Sequence, residues 1–237
     1  MTELPKDILV NELYARQEAY ERAEKWEDKE FYPYTDSSGV PTVGVGFNLQ
    51  DKSTLDLLHK FKQEELEEEG HEGSRAPMSK DDALKESKKF VRNLKKEARH
   101  HNGVPSTQVP LLEHMRDTSI SMDLNERMLR ALIDQKVEWV NKTYEKANLN
   151  YMQTAVIADL YYQGGNTYVG KGTNFYKAVQ SGDWDEAIYE IQEKSNVKEI
   201  EGIQARHDER VADLDIARGG DGNYRASPRP SNRPVGR

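Results

Sequence analysis

Residues 26–49, WEDKEFYPYTDSSGVPTVGVGFNL, interrupt a helical pattern and turn it into something else within a few residues, which limits the possible folds more than any other stretch of the chain. Upstream, Ile8, Leu9, Leu13, Tyr20 and Trp26 recur at intervals that predict one buried helix face, so Glu27 stands at a helix end. Pro33 resists continuing the helix. Thr35-Asp36-Ser37-Ser38-Gly39 is dense in side chains that bond their own backbone or tolerate positive φ, so a reversal is expected there. Val40, Thr42, Val43 and Val45 then favour a strand, and Gly44 and Gly46 are expected to leave one side of it open to another backbone or a ligand.

Two carboxylates flanking such a wall have an obvious use. Cleaving a glycosidic bond needs one acid to protonate the leaving oxygen. It also needs a carboxylate that stabilises the sugar cation or activates water, about 5–5.5 Å away for retention and about 6.5–9.5 Å for inversion. Glu27 and Asp36 are candidates for that pair, and their spacing with Thr42 could put a hydroxyl around the same bond. Taken singly, either carboxylate reads as a solvated surface charge in a chain with 32% charged residues.

The segment has company downstream. Tyr34, Asp36, Gly39 and Thr42-Val43-Gly44-Val45-Gly46 resemble the active-site segment of phage-type lysozymes, glycoside hydrolase family 24. Tyr162-Gln163-Gly164-Gly165-Asn166-Thr167 through Gly172-Thr173-Asn174, then Ser181-Gly182-Asp183-Trp184-Asp185-Glu186-Ala187, resemble that family's substrate-cleft helices. Gly202-Ile203-Gln204-Ala205-Arg206-His207 is similar to its Gly-Leu-x-x-Arg-Arg motif. The blocks occur in the family's order and cover roughly residues 25–50 and 121–217. The resemblance implies a mainly α, lysozyme-like α+β fold of two lobes. The small lobe would carry a short antiparallel sheet, and a long helix would join it to a larger helical lobe.

It further implies that Glu27 is the general acid, Asp36 the carboxylate that activates or orients water, and Thr42 the hydroxyl that holds that water. Arg206 would pair with Glu27, while Gln163 and Asn174 would contact substrate. The implied reaction is hydrolysis, with inversion, of the β-1,4 bond between N-acetylmuramic acid and N-acetylglucosamine in peptidoglycan, and no cofactor is expected. Three positions depart from the family pattern. Asp28 replaces a common glycine and, facing the cleft, would raise the Glu27 pKa. Phe47 stands for a common histidine, and His207 for the second arginine of the motif.

The rest of the chain is read as additions to this body. Residues 1–26 form an N-terminal helical extension, 27–50 the catalytic segment and 51–120 a charged helical insertion. Residues 121–217 hold the inter-lobe helix and helical lobe, and 218–237 a Gly/Pro/Arg-rich tail. Within the insertion, Glu64-Glu65-Leu66-Glu67-Glu68-Glu69 is expected to be a solvated helix face. Ser79 and Asp82 resemble a capping box that starts a basic helix through Lys96. The two helices would make an antiparallel charged hairpin, read as solvated decoration or, near the cleft, as a lid or docking surface. Leu124, Met128, Leu132 and Val137 predict one buried face of the long helix.

Composition narrows the setting. With no cysteine, a disulfide framework, a thiol nucleophile and a thiolate metal site are all excluded. The histidines lack zinc-site spacing, so no metal is expected. Gly165–Lys171 begins like a phosphate-binding loop, but Gly172 occupies the place of the required Ser or Thr. The first residues lack the basic start and apolar core of a secretory signal, so no signal peptide and no membrane insertion are expected. A lysin of this kind would leave the host cytoplasm through a pore or travel on a phage virion. The net charge of −8 gives no long-range attraction to an anionic wall, which favours tethering to tail or other virion proteins through residues 218–237 and 51–120. Nucleic acid is not an expected partner of this acidic body. The competing class is a non-enzymatic, lysozyme-derived structural or plug protein of a phage tail.

Overall fold

A computed structural model of the chain describes residues 6–26, 30–35, 39–68, 78–98, 119–194 and 201–220. These residues are mostly helical with one small antiparallel sheet, in the order α1 (Lys6–Trp26), β1 (Glu30–Thr35), β2 (Pro41–Gly44), β3 (Phe47–Asn48), α2 (Lys52–Glu68), α3 (Lys80–Ala98), α4 (Met122–Thr143), α5 (Tyr151–Gly164), α6 (Asn166–Val169), α7 (Asn174–Ser181), α8 (Trp184–Lys194) and α9 (Glu201–Ala217). The chain divides into two compact units, one of residues 23–134 and one of residues 1–22 with 135–237.

In the unit of residues 23–134, β2 is the central strand. It pairs with β1 through Tyr34↔Thr42 and Thr35↔Pro41 and with β3 through Thr42↔Asn48 and Val43↔Phe47. Pro33 has no N–H to give a ladder, and the β1–β2 register shifts between Glu30 and Tyr34, the stretch that contains it. The strand expected to run through Val45 instead ends at Gly44, and the chain reverses there. The cause is local: Gly44 (φ 64°) and Gly46 (φ 80°) adopt the left-handed conformation that suits a tight hairpin.

The α2–α3 hairpin corrects a second expectation, since it is core and not decoration. Leu58 and Leu66 of α2, with Ala83, Val91 and Leu94 of α3, are buried, and α3 packs on β1 and β2. The Thr35 hydroxyl donates to the carbonyl of Ala98 at the end of α3. Ser79 starts α3 as expected, its Oγ accepting from Asp82 N at 3.3 Å. The acidic end of α2 is partly engaged rather than simply solvated. Glu64 pairs with Arg127 at 2.5 Å and Glu65 with Lys62 at 2.8 Å, while Leu66 within the run is buried.

The predicted face of α4 is the observed one, with Leu124, Met128, Leu132 and Val137 all buried. On α1 the predicted face holds at Tyr20, which is buried, and fails at Leu13. Leu13 is 67% exposed, whereas Ala15, Ala19 and Ala23, spaced four apart, are fully buried alongside Tyr20. Small residues let a helix approach its neighbours closely, so the buried stripe follows alanines that a count of large apolar residues passes over. The side chains of Ile8, Leu9 and Trp26 lie outside the described residues.

In the other unit, α5 is enclosed: every residue from Gln153 to Leu160 is buried. Its start is fixed by a reciprocal capping box between Asn150 and Gln153. α9 packs against both α5 and α8. The Tyr144 hydroxyl, whose pKa burial raises, donates to Val169 O at 2.5 Å and ties the residue after α4 to the last residue of α6.

Candidate active site

The residues expected to carry chemistry fall in both units. Glu27 and Asp36, with Asp28, lie outside the described residues, but Trp26 and Thr35, which precede Glu27 and Asp36, do not. α1 ends at Trp26 and β1 ends at Thr35, so each carboxylate follows directly on the last residue of a regular element. Thr42 sits in β2 opposite Tyr34 and is 4% exposed. Its hydroxyl donates to Val40 O at 2.9 Å. That commits the only hydrogen on Oγ1 and leaves the oxygen as an acceptor, so a water bound there must donate to Thr42. The expected opening beside Gly44 is filled. A Cβ on Gly44 would stand 2.4 Å from Asn125 Oδ1 and 2.7 Å from the Phe47 ring, and Asn125 Oδ1 accepts from Val45 N at 3.2 Å.

The other unit brings together Arg206 and Gln163 through residues the sequence reading did not single out. Arg206 is buried on α9, and its guanidinium reaches Asp159 of α5 at 2.5 Å. Arg210, one turn further along α9 and fully buried, donates through Nε to the other Asp159 oxygen at 2.6 Å. The same guanidinium donates through Nη1 to Gln163 Oε1 at 2.6 Å. One buried carboxylate thus serves two arginines. Burial alone would raise the Asp159 pKa, but Arg210 and Arg206 override it and hold the group below its ordinary value, so it is ionised. The partner implied for Arg206, Glu27, lies outside the described residues.

Beside this network, Arg22 of α1 is 4% exposed and pairs with Asp213 of α9 at 2.7 Å and with Glu18 at 2.8 Å. Burial works against its charge, and Asp213 and Glu18 raise its pKa in spite of that. His207 is 1% exposed, and neither ring nitrogen has a hydrogen-bond partner among the described residues. Burial, reinforced by Arg210 and Arg206, lowers it to about 4, so it is neutral near pH 7.

Asn174 is the first residue of α7. Thr173 caps α7, its Oγ1 accepting from Tyr176 N at 3.0 Å, so Asn174 is not spent on capping. The Asn174 amide donates to Glu190 of α8 at 3.1 Å, which uses one of its two hydrogens.

Asp159 and Arg210 were discoverable in principle. Asp159 is the one acid in the apolar run Ala155-Val156-Ile157-Ala158-Asp159-Leu160, where a carboxylate needs a partner. Arg206 and Arg210 are four apart and therefore share a helix face. No protein-family model matches the chain, and no curated protein matches it.

Proposed function

We propose that the chain is a phage-type lysozyme that hydrolyses the β-1,4 bond between N-acetylmuramic acid and N-acetylglucosamine of peptidoglycan. The observation that carries this reading is the placement of its three reacting groups along the sequence. Glu27 follows the end of α1, Asp36 follows the end of β1, and Thr42 lies in the strand that β1 pairs with. The order of elements supports it as well. A small three-stranded sheet, the 22-residue helix α4 and a run of helices correspond to the small lobe, joining helix and larger helical lobe of that architecture.

In the proposed reaction Glu27 gives its proton to the glycosidic oxygen as the bond to the sugar carbon breaks. A water on the opposite face attacks that carbon and loses a proton to Asp36. Thr42 accepts a hydrogen bond from this water, because its own hydrogen is committed to Val40 O, and so turns a water lone pair away from the strand. Arg206 steadies Glu27, and Gln163 and Asn174 contact the sugar substituents. These side chains and water complete the reaction. We read the protein as a phage lysin that acts on the bacterial cell wall, with residues 218–237 as its contact to virion proteins. Mass spectrometry of products from purified peptidoglycan tests the chemistry: muropeptides with reducing N-acetylmuramic acid ends are expected. Anhydro ends would mean internal attack in place of water, and an absence of products would remove the enzymatic reading.

A further inference from the structure

We propose that Asp159 is a positioning residue for substrate binding, acting through Arg210 to turn the Gln163 amide so that its NH2 group faces outward as a hydrogen-bond donor to an acceptor oxygen of the glycan, such as an N-acetyl carbonyl. This rests on the lysozyme reading and specifies what Gln163 does in it.

Donor chemistry fixes which Gln163 atom meets Arg210. A guanidinium has only hydrogens to offer, so the Gln163 atom 2.6 Å from Arg210 Nη1 must be the carbonyl oxygen. The Gln163 amide therefore has one permitted orientation, and its nitrogen, with two hydrogens, points away from Arg210. Gln163 is exposed, so that donor is accessible. Arg210 in turn cannot swing aside. It is fully buried, its Nε is bonded to Asp159 Oδ2 at 2.6 Å and its Nη2 to the Asp159 carbonyl at 3.4 Å. Asp159 is itself 1% exposed and held from a second direction by Arg206. A chain of fixed groups thus runs from the interior to one surface amide. An amide on a solvated glutamine would rotate between two orientations and present its donor only part of the time; here the rotation is removed in advance, which lowers the ordering cost of binding.

A double-mutant cycle on the full-length protein tests this. Asp159→Asn keeps the shape but removes the charge that anchors Arg210. With Gln163 present it should raise KM about threefold to tenfold, the worth of one hydrogen bond, with a smaller effect on kcat. In a Gln163→Ala background, Asp159→Asn should change KM no further. An equal rise in both backgrounds, or no rise in either, overturns the proposal, since a purely structural carboxylate would not act through Gln163. Arg210→Lys, which keeps the charge but not the two-ended geometry, should reproduce the KM effect should Asp159→Asn fail to fold. The glycosidase reading fails separately, by an inactive wild type. In that event the side-chain amide signals of Gln163 in NMR decide: two resolved, slowly exchanging protons in the wild type, collapsing in Arg210→Lys, support the positioning, and signals indifferent to Arg210 overturn it.

Discussion

At the scale of single residues, the most consequential features are ionisable groups that folding has placed where water cannot reach them. His207 is the clearest, because its folded-state pKa of about 4 lies well below its ordinary 6.5. Above pH 6.5 it is neutral whether folded or unfolded and contributes no pH dependence. As pH falls below 6.5, the unfolded chain binds a proton that the folded chain refuses, so stability is lost progressively until about pH 4, where the folded form also protonates and the loss levels off. Arg206 and Arg210 resist that proton while Asp159 and Asp208 attract it. Replacing His207 with Leu should therefore make stability less sensitive to pH over this window, by on the order of 1–3 kcal/mol relative to wild type, in urea unfolding at pH 7 and pH 4.5. An identical pH response in both proteins would count against the account. Asp159→Ala leaves two buried guanidiniums without their shared carboxylate and should cost about 3–5 kcal/mol in the same assay at pH 7.

Elements show where the sequence was readable and where it was not. The amphipathic face of α4 was legible because four large apolar residues recur at helical spacing and all four are buried. The end of α1 before Glu27 and the cap of α3 were legible too, since both depend on neighbours in sequence. The buried face of α1 was legible only at Tyr20, because alanines carry the rest of it. The filled space at Gly44 was not, because Asn125 arrives from α4, 80 residues away from the Val45 amide it binds. The buried ionic network of α5 and α9 was hidden for the same reason: Asp159 meets Arg206 and Arg210 across 47 and 51 residues. Spacing rules see one turn of helix or one hairpin, and these contacts are made by packing. The β2–β3 hairpin gives the sharpest test at this scale. Gly44→Ala puts a methyl 2.4 Å from Asn125 Oδ1 at a φ of 64° and should destabilise the protein by about 2–3 kcal/mol. Thr173→Ala, which removes the α7 cap, should cost about 1 kcal/mol.

At the scale of the whole molecule, residues with proposed roles occur in both units of the chain. Residues 23–134 supply Thr42 and the sequence positions of both proposed reacting carboxylates, and their sheet is braced by the α2–α3 hairpin that charge patterning marked as surface. The unit formed by residues 1–22 and 135–237 contains Arg206, Gln163 and Asn174, and orders the first two through the buried carboxylate of Asp159 in α5. The proposed activity needs the acid at residue 27 above all, because without a proton donor the leaving sugar oxygen cannot depart at neutral pH. Glu27→Gln preserves size and polarity while removing that proton. The decisive measurement is muropeptide release from purified peptidoglycan by wild type and by Glu27→Gln, with circular dichroism and unfolding midpoints compared in parallel. The account predicts release by wild type and at least a thousandfold loss, on the order of what removal of an essential general acid costs, in a variant that stays folded. Release undiminished by Glu27→Gln would contradict it.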